Sequence, residues 1–82
     1  MRLDKYLKVS RLVKRRTVAN ELCDAKHVDV NGKVARASLE VTPGDVIEIT
    51  IGARKTRAKV LTVAEYATKE TAETMYELLG EK

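Results

Sequence analysis

The sequence predicts an α+β fold in which two N-terminal helices pack on a small antiparallel sheet of about four strands and a short C-terminal helix follows. Apolar residues recur at helical spacing up to residue 23, and apolar and polar residues alternate between residues 28 and 63. Helical spacing returns from residue 69. A chain of 82 residues has one thin core. We expect one domain over residues 1–64 and an acidic helical tail over residues 65–82.

The first predicted helix covers residues 3–9, where Leu3, Tyr6 and Leu7 form one apolar stripe. Asp4 lies in its first turn, where a carboxylate suits the positive end of the helix dipole. A basic connector over residues 10–16 leads to a second helix, for which Thr17 is a candidate N-cap. The apolar face of this second helix is formed by Val18, Ala19, Leu22 and Cys23.

The middle of the chain has the pattern of short strands joined by tight turns. Residues 28–30 and 33–35 flank Asn31-Gly32, a strong signal for a two-residue hairpin. Pro43-Gly44 predicts a turn, residues 46–51 predict a half-buried strand, and residues 56–63 predict another. Over residues 69–79, apolar and acidic residues fall on opposite sides of a predicted final helix. The apolar side is Ala72, Met75, Tyr76 and Leu79, and the acidic side is Glu70, Glu73 and Glu77.

Positive charge is concentrated at the N-terminal end of the chain. The net charge is +4, but residues 1–36 hold ten Lys and Arg against four acids, residues 37–64 hold four against three, and residues 65–82 hold two against five. Such asymmetry suits a polyanionic partner at the basic end, but charge alone indicates a solvated basic surface without a partner equally well.

Seven cations in the first two helices and their connector are the candidate RNA-binding residues. They are Arg2, Lys5, Lys8, Arg11, Lys14, Arg15 and Arg16. The planar fork of arginine binds phosphate through two hydrogen bonds, and the free N–H groups that begin the second helix favour an anion beside Arg16. We therefore predict that these side chains converge in one cradle. Asp4, inside this set, either orients a neighbouring arginine or only compensates the helix dipole.

The residues that catalysis or a metal site would need are missing from the sequence. No nucleophile–base arrangement, carboxylate pair or glycine-rich phosphate loop is present. The single cysteine, Cys23, and the single histidine, His27, fall short of the three or four ligands of a zinc site. We predict no catalytic residue, no metal and no cofactor, and a packing role for Cys23.

The chain also lacks the features of a secreted or membrane protein. No apolar run approaches the roughly 20 residues that cross a bilayer, and no signal peptide pattern opens the chain. A lone cysteine suits a reducing compartment. We predict a cytoplasmic protein with no membrane contact, and we expect a monomer.

An ordered series of motifs resembles a known RNA-binding family. The motifs are Arg2-Leu3-Asp4-Lys5-Tyr6-Leu7, Arg16 three residues before Ala19, Val28-Asp29-Val30-Asn31-Gly32-Lys33-Val34, and Pro43-Gly44-Asp45-Val46-Ile47. Over residues 1–64 the chain is similar to the domain named after small-subunit ribosomal protein four, the S-four domain. The resemblance implies an αL-type RNA-binding fold, in which Arg2 and Arg16 match the main RNA-contacting arginines and Asp4 matches the motif aspartate.

Two positions depart from the pattern of that family. Many members have Ser where Arg15 stands and Gly where Lys26 stands. Arg15 adds to the basic surface. A non-glycine residue in a left-handed helix cap costs about 1 kcal/mol, so the exit from the second helix could be built differently here.

The stand-alone bacterial members of the family imply a particular function. Such members are not enzymes, and they bind large ribosomal subunits stalled with peptidyl-tRNA. They contact rRNA near helix sixty-nine and the tRNA, and they support C-terminal alanine tailing of the nascent chain by the factor RqcH. Two alternatives within the family are a heat-shock-type large-subunit recycling factor, which carries a basic C-terminal extension that this chain lacks, and a detached RNA-targeting domain of an RNA-modifying enzyme.

Two further alternatives arise from the residues themselves. A helix-turn-helix DNA-binding protein would use the two short helices, although the connector is too basic and too long for a tight turn. A protein-interaction module with an incidental positive face would bind its partner independently of ionic strength.

Overall fold

The computed structural model describes residues 1–65 and 67–81 and confirms the α+β fold. Tyr66 and Lys82, which belong to the predicted tail, lie outside the described residues. The elements in chain order are α1 (Leu3–Val9), α2 (Arg16–Asp24), β1 (Val28–Val30), β2 (Lys33–Val34), β3 (Val46–Ile51), β4 (Arg54–Val60), α3 (Lys69–Ala72) and β5 (Tyr76–Glu81). Among these described elements, no helix has the length and apolar character needed to span a bilayer.

One antiparallel sheet contains the five strands in the order β2-β1-β3-β4-β5. The predicted Asn31-Gly32 hairpin is confirmed, because Val30 pairs with Lys33 and both turn residues have positive φ, 54° and 82°. The Pro43-Gly44 turn is also present, with Gly44 at a φ of 97° and the backbone N–H of Asp45 donating to the carbonyl of Thr42. Local turn residues therefore set the register of the sheet where the chain first enters it.

The core lies between α1, α2 and the inner face of the sheet. The predicted stripe on α1 is confirmed, since Leu3, Tyr6 and Leu7 are each 0% exposed. These side chains share one apolar cluster with inward residues of the strands, among them Val28 and Ile47. Burial of one large aliphatic side chain stabilises a fold by about 1.5–3 kcal/mol. The apolar stripe thus fixes which side of α1 is available to a ligand.

The prediction of a helix over residues 69–79 is wrong beyond residue 72. A capping box between Thr68 and Thr71 starts α3, which ends at Ala72 after a single turn. The following Tyr76–Glu81 segment pairs with β4 as an edge strand. So short a helix is marginal in isolation, whereas β4 offers a row of backbone groups for pairing. The apolar spacing that predicted a longer helix also suits this arrangement, because Ala72 and Met75 are both buried.

A hydrogen bond joins the first helix to this C-terminal segment. The Tyr6 hydroxyl donates to the carbonyl oxygen of Met75 at 2.7 Å, and both side chains are buried. A buried tyrosine hydroxyl needs such a partner, since an unpaired one costs about 1–3 kcal/mol. The position of α1 therefore depends on residues at the far end of the chain.

The two ends of α2 are built differently from what the sequence predicts. Thr17 is not the N-cap; α2 starts at Arg16, and the N-cap residue Arg15 makes no side-chain capping hydrogen bond. At the other end, Lys26 has a left-handed φ of 64°. The His27 N–H donates to the Leu22 carbonyl at 2.9 Å and the Lys26 N–H donates to that of Cys23 at 3.0 Å, which is a Schellman motif. Helix α2 therefore ends in a left-handed cap, with Lys26 at the position where the family pattern has glycine.

We expect Lys26→Gly to stabilise the protein by about 0.5–1 kcal/mol, because glycine adopts the left-handed conformation without the Cβ clash. Urea unfolding of parent and variant measures this difference. Lys26→Ala is the matched control, since it removes the same charge but keeps the clash. An unfolding free energy for Lys26→Gly equal to or below that of Lys26→Ala would contradict the interpretation.

Candidate nucleic-acid interface

The carboxylate of Asp4 lies at the centre of the candidate interface and is only 1% exposed. Its Oδ1 accepts from the Lys5 backbone N–H at 2.8 Å and from Arg2 Nε at 3.2 Å. Its Oδ2 accepts from Arg16 Nε at 3.2 Å and from Asn20 Nδ2 at 3.3 Å. A buried carboxylate is tolerable only when its oxygens are paired in this way. Arg2 is two residues from Asp4 in the sequence, and Arg16 is twelve residues away. The packing of α1 against α2 therefore brings both arginines to one acceptor.

The two arginines remain accessible even though they are paired. The side chains of Arg2 and Arg16 are 51% and 49% exposed, against 2% for Asp4. Each guanidinium has five N–H donors, and its contacts with Asp4 leave several of them for another acceptor. With Thr17 and Glu21 they line an open cleft of about 520 Å³. This arrangement presents two oriented forks of the kind that bind phosphate.

The electrostatics of Asp4 favour its charged form. Burial acts to raise the pKa of this carboxyl, but the hydrogen bonds from Arg16 and the Lys5 backbone, with the charges of Arg16 and Arg2, outweigh burial and hold the pKa below its ordinary value. Asp4 is thus an anion that both arginines face. Asp4 contacts an arginine and also lies in the first turn of α1. The two roles considered for Asp4, orienting an arginine and compensating the helix dipole, are therefore compatible.

The start of α2 adjoins this cluster. Arg16 is the first residue of α2, and no side chain caps the helix N-terminus. The N–H groups of the first turn have no partner within the helix and carry partial positive charge. An anion bound by Arg16 would therefore also lie near the positive end of α2.

The other predicted cations lie apart from the Asp4 cluster. Lys8, Arg11 and Lys14 line a second cleft of about 240 Å³ together with Glu65 and Ala67. This cleft shares no lining residue with the cleft around Asp4. Five of the seven predicted cations therefore line two separate clefts, and the expected single cradle is not observed.

The remaining two predicted cations occupy different surroundings. Lys5 forms an ion pair with Glu65. Arg15 is exposed, and with Lys14 it borders an apolar cleft whose walls include Val18 and Ile51. Neither side chain contacts Asp4 in the described hydrogen bonds and ion pairs.

Sequence reasoning missed four residues that lie in or beside the candidate interface. Asn20 follows Arg16 by four residues on α2, so its helical spacing could have placed it on the same face. Lys26 and Arg36 line a cleft that adjoins the Asp4 cluster through Arg2 and Asn20. Glu65 reaches the basic surface only through the tertiary fold, and no local signal in the sequence could have indicated this.

The cysteine is part of the core. Cys23 is 4% exposed on the buried face of α2, as predicted. Burial, with smaller contributions from the charges of Asp4 and Asp24, raises the pKa of its thiol to about 11. Within residues 1–65 and 67–81, no group of three or more His, Cys, Asp or Glu side chains is arranged to hold a metal ion.

Fold and candidate interface together define a small α+β domain in which one buried carboxylate holds two half-exposed arginines. Residues 1–47 match the family described as the S4 domain, the S-four domain that the motifs resemble. The chain belongs to the S4 domain family.

Curated relatives match the chain over its full length. Proteins named RQC P-site tRNA stabilizing factor are 46% identical in Halalkalibacterium halodurans, with 100% of this chain and 93% of the relative covered, and 47% identical in Streptococcus pneumoniae, with 99% and 92% covered. The protein of that name in Bacillus subtilis is 44% identical, with 100% and 95% covered. The predicted resemblance to a stand-alone bacterial member is confirmed.

Solved structures show the same fold. Heat Shock Protein 15 of Vibrio cholerae, known in a trimeric structure, superposes with a TM-score of 0.87 at 25% identity, with 95% of this chain and 80% of that chain covered. A hypothetical protein solved in solution superposes with a TM-score of 0.83 at 29% identity, with 98% of both chains covered.

Proposed function

We propose that this chain is a non-enzymatic RNA-binding factor of ribosome-associated quality control that stabilises P-site tRNA on stalled large ribosomal subunits. The curated relatives that it matches over more than nine-tenths of their length are named RQC P-site tRNA stabilizing factor, which supports the tRNA-stabilising role. The structural observation that carries the proposal is the pair of half-exposed arginines, Arg2 and Arg16, held on the buried Asp4 carboxylate.

The geometry suits a structured RNA partner. Arginine forks fixed by a carboxylate lose less conformational entropy on binding than free side chains do, so they select a phosphate at a defined position. Exposed aromatic side chains, on which unstacked bases would stack, are scarce, since the chain has three Tyr and no Phe or Trp and Tyr6 is buried. Backbone and shape recognition of folded RNA therefore fits better than recognition of a single strand.

The finer assignment follows the resemblance. The RNA contacts would be large-subunit rRNA near helix sixty-nine and the tRNA, and the bound factor would support alanine tailing by RqcH in the cytoplasm. The RNA-binding unit would be residues 1–64 of a monomer, with the acidic segment over residues 65–82 adding the closing strand of the sheet.

Binding to purified large subunits tests the function. Subunits carrying peptidyl-tRNA should bind the protein more tightly than empty subunits, because the tRNA adds contacts. Between about 50 and 200 mM salt, log affinity should fall against log salt by roughly 0.7–0.9 per phosphate contacted. Equal binding to empty subunits, or binding that is insensitive to salt, would contradict the proposal.

The similarity to Heat Shock Protein 15 supports a second candidate, a factor that recycles blocked large subunits. Reconstituted reactions with the tailing factor separate the two candidates. Stimulation of alanine addition to the stalled peptide supports the quality-control role, whereas release of the peptidyl-tRNA without tailing supports recycling.

A further inference from the structure

We propose that the cleft that α1 and the basic connector form with Glu65 and Ala67 is a second RNA phosphate site, and that Glu65 occupies it as an internal competitor in the free protein. This inference rests on the proposed RNA-binding function. It assigns a role to one acidic residue that lies among cations otherwise suited to RNA.

Four cations lie in or beside the cleft that the Glu65 side chain lines. Lys8, Arg11 and Lys14 line the same cleft as Glu65, and Lys5, one turn before Lys8 on α1, forms an ion pair with it. One carboxylate against four cations leaves the cleft strongly positive. An anion with more charge than a carboxylate, such as an RNA phosphate with its neighbours along the backbone, would therefore be favoured there.

The conformation of Arg11 supports a ligand-binding role for this cleft. Arg11 has a φ of 65°, a left-handed conformation that favours glycine or asparagine. It is held by the end of α1, where its backbone N–H donates to the Lys8 carbonyl at 3.1 Å. Strained residues of this kind cluster at binding sites. Arg11 is thus a cation at a position where local structure alone would favour a smaller residue.

Glu65 has the properties of a displaceable competitor. The hydrogen bond and charge of Lys5 hold the pKa of the Glu65 carboxyl below its ordinary value, so it is ionised at neutral pH. Its side chain is 68% exposed, and ion pairs exposed to this degree are weak. A phosphate that enters the cleft can form an ion pair with Lys5 in place of Glu65. The Glu65 side chain then rotates out into the solvent. RNA binding at this cleft is then an exchange of one anion for another.

Replacement of Glu65 by glutamine should tighten binding to large subunits carrying peptidyl-tRNA by about three- to tenfold at low salt, with the gain reduced at high salt. Glu70→Gln is the matched control, because Glu70 is exposed on the neighbouring helix α3 and its loss changes the net charge equally. That control should change the affinity by less than about twofold, since an exposed charge outside the cleft is screened.

A double-mutant cycle with Lys5→Ala tests the exchange itself. In the parent, loss of Lys5 removes a phosphate contact and also the ion pair that opposes it, so the affinity should fall by only about twofold. In the Glu65→Gln background Lys5 is free, and its loss should weaken binding by about fivefold or more. Circular dichroism checks that each variant is folded.

Three results would overturn the inference. The first is an unchanged affinity of Glu65→Gln while the parent shows salt-dependent binding, which leaves the proposed function intact. The second is an equal cost of Lys5→Ala in both backgrounds, which would make Glu65 a distant repelling charge only. The third is a parent protein that does not bind the subunits, which would remove the proposed function together with this inference.

Discussion

Arg16→Ala should weaken binding to stalled large subunits by roughly ten- to a hundredfold while the protein stays folded. A charge-assisted hydrogen bond contributes about 1.5–3 kcal/mol, and Arg16 combines its half-exposed fork with the positive end of α2. Folding should be spared because Asp4 keeps its hydrogen bonds from Arg2, Asn20 and the Lys5 backbone. Equilibrium binding to subunits with peptidyl-tRNA measures the effect.

Two further variants locate the effect of Arg16. Lys59→Ala removes one exposed cation from β4, outside the clefts around Asp4 and Glu65, and should change the affinity by less than about threefold, since one screened charge is weak. Arg16→Lys keeps the charge but loses the planar fork, so it should lose most of what alanine loses. If Arg16→Ala bound as tightly as the parent, the Asp4 cluster would not be the RNA-binding surface.

Asp4→Asn should weaken RNA binding by about tenfold even though it makes the protein more positive. Without the carboxylate, Arg2 and Arg16 lose the acceptor that fixes their guanidinium groups, and each must be ordered again when RNA binds. A role in helix-dipole compensation alone predicts the opposite result, because removal of a negative charge near phosphate would then leave the affinity equal or higher. Equilibrium binding to the same stalled subunits decides between the two roles of Asp4 by the sign of the change.

The same substitution should destabilise the fold by about 1–3 kcal/mol and should change its pH dependence. The folded-state pKa of Asp4 lies below its ordinary value of about 3.9. Its ionised form therefore stabilises the protein above that value, and this contribution is lost as pH falls through the folded pKa. Between about pH 7 and about pH 3, the free energy of unfolding in urea should fall more steeply with decreasing pH in the parent than in Asp4→Asn. Parallel curves would contradict the electrostatic account of Asp4.

Local patterns predicted most of the fold but not its C-terminal end. The stripe of Leu3 and Leu7, the Asn31-Gly32 hairpin and the alternation in β3 are decided by neighbours in sequence, so they could be predicted. The segment around Tyr76 has spacing that suits a helix, and it becomes a strand because β4 has a free edge, which is a tertiary fact. Local propensity was overridden there by backbone pairing.

The candidate interface was predictable in composition but not in arrangement. Clustered cations in the first 16 residues indicated the surface and its ligand class. Their partition depends on where α1 and α2 cross, which brings Asp4 to Arg16 and Asn20. It also depends on the return of the chain after β4, which brings Glu65 to Lys5. Contacts over such separations are set by packing and leave no periodic trace in the sequence.

The hydrogen bond from Tyr6 to the Met75 carbonyl closes a loop across 69 residues, and this has a consequence during biosynthesis. In a nascent chain that has not yet emerged as far as Met75, the Tyr6 hydroxyl has no hydrogen-bond acceptor at this position. The first helix then lacks one of the contacts that hold it against the rest of the fold. Contacts between such distant parts of a chain also form late in folding. A partly translated copy that stops before Met75 would therefore lack a contact that fixes α1, the helix that carries Asp4.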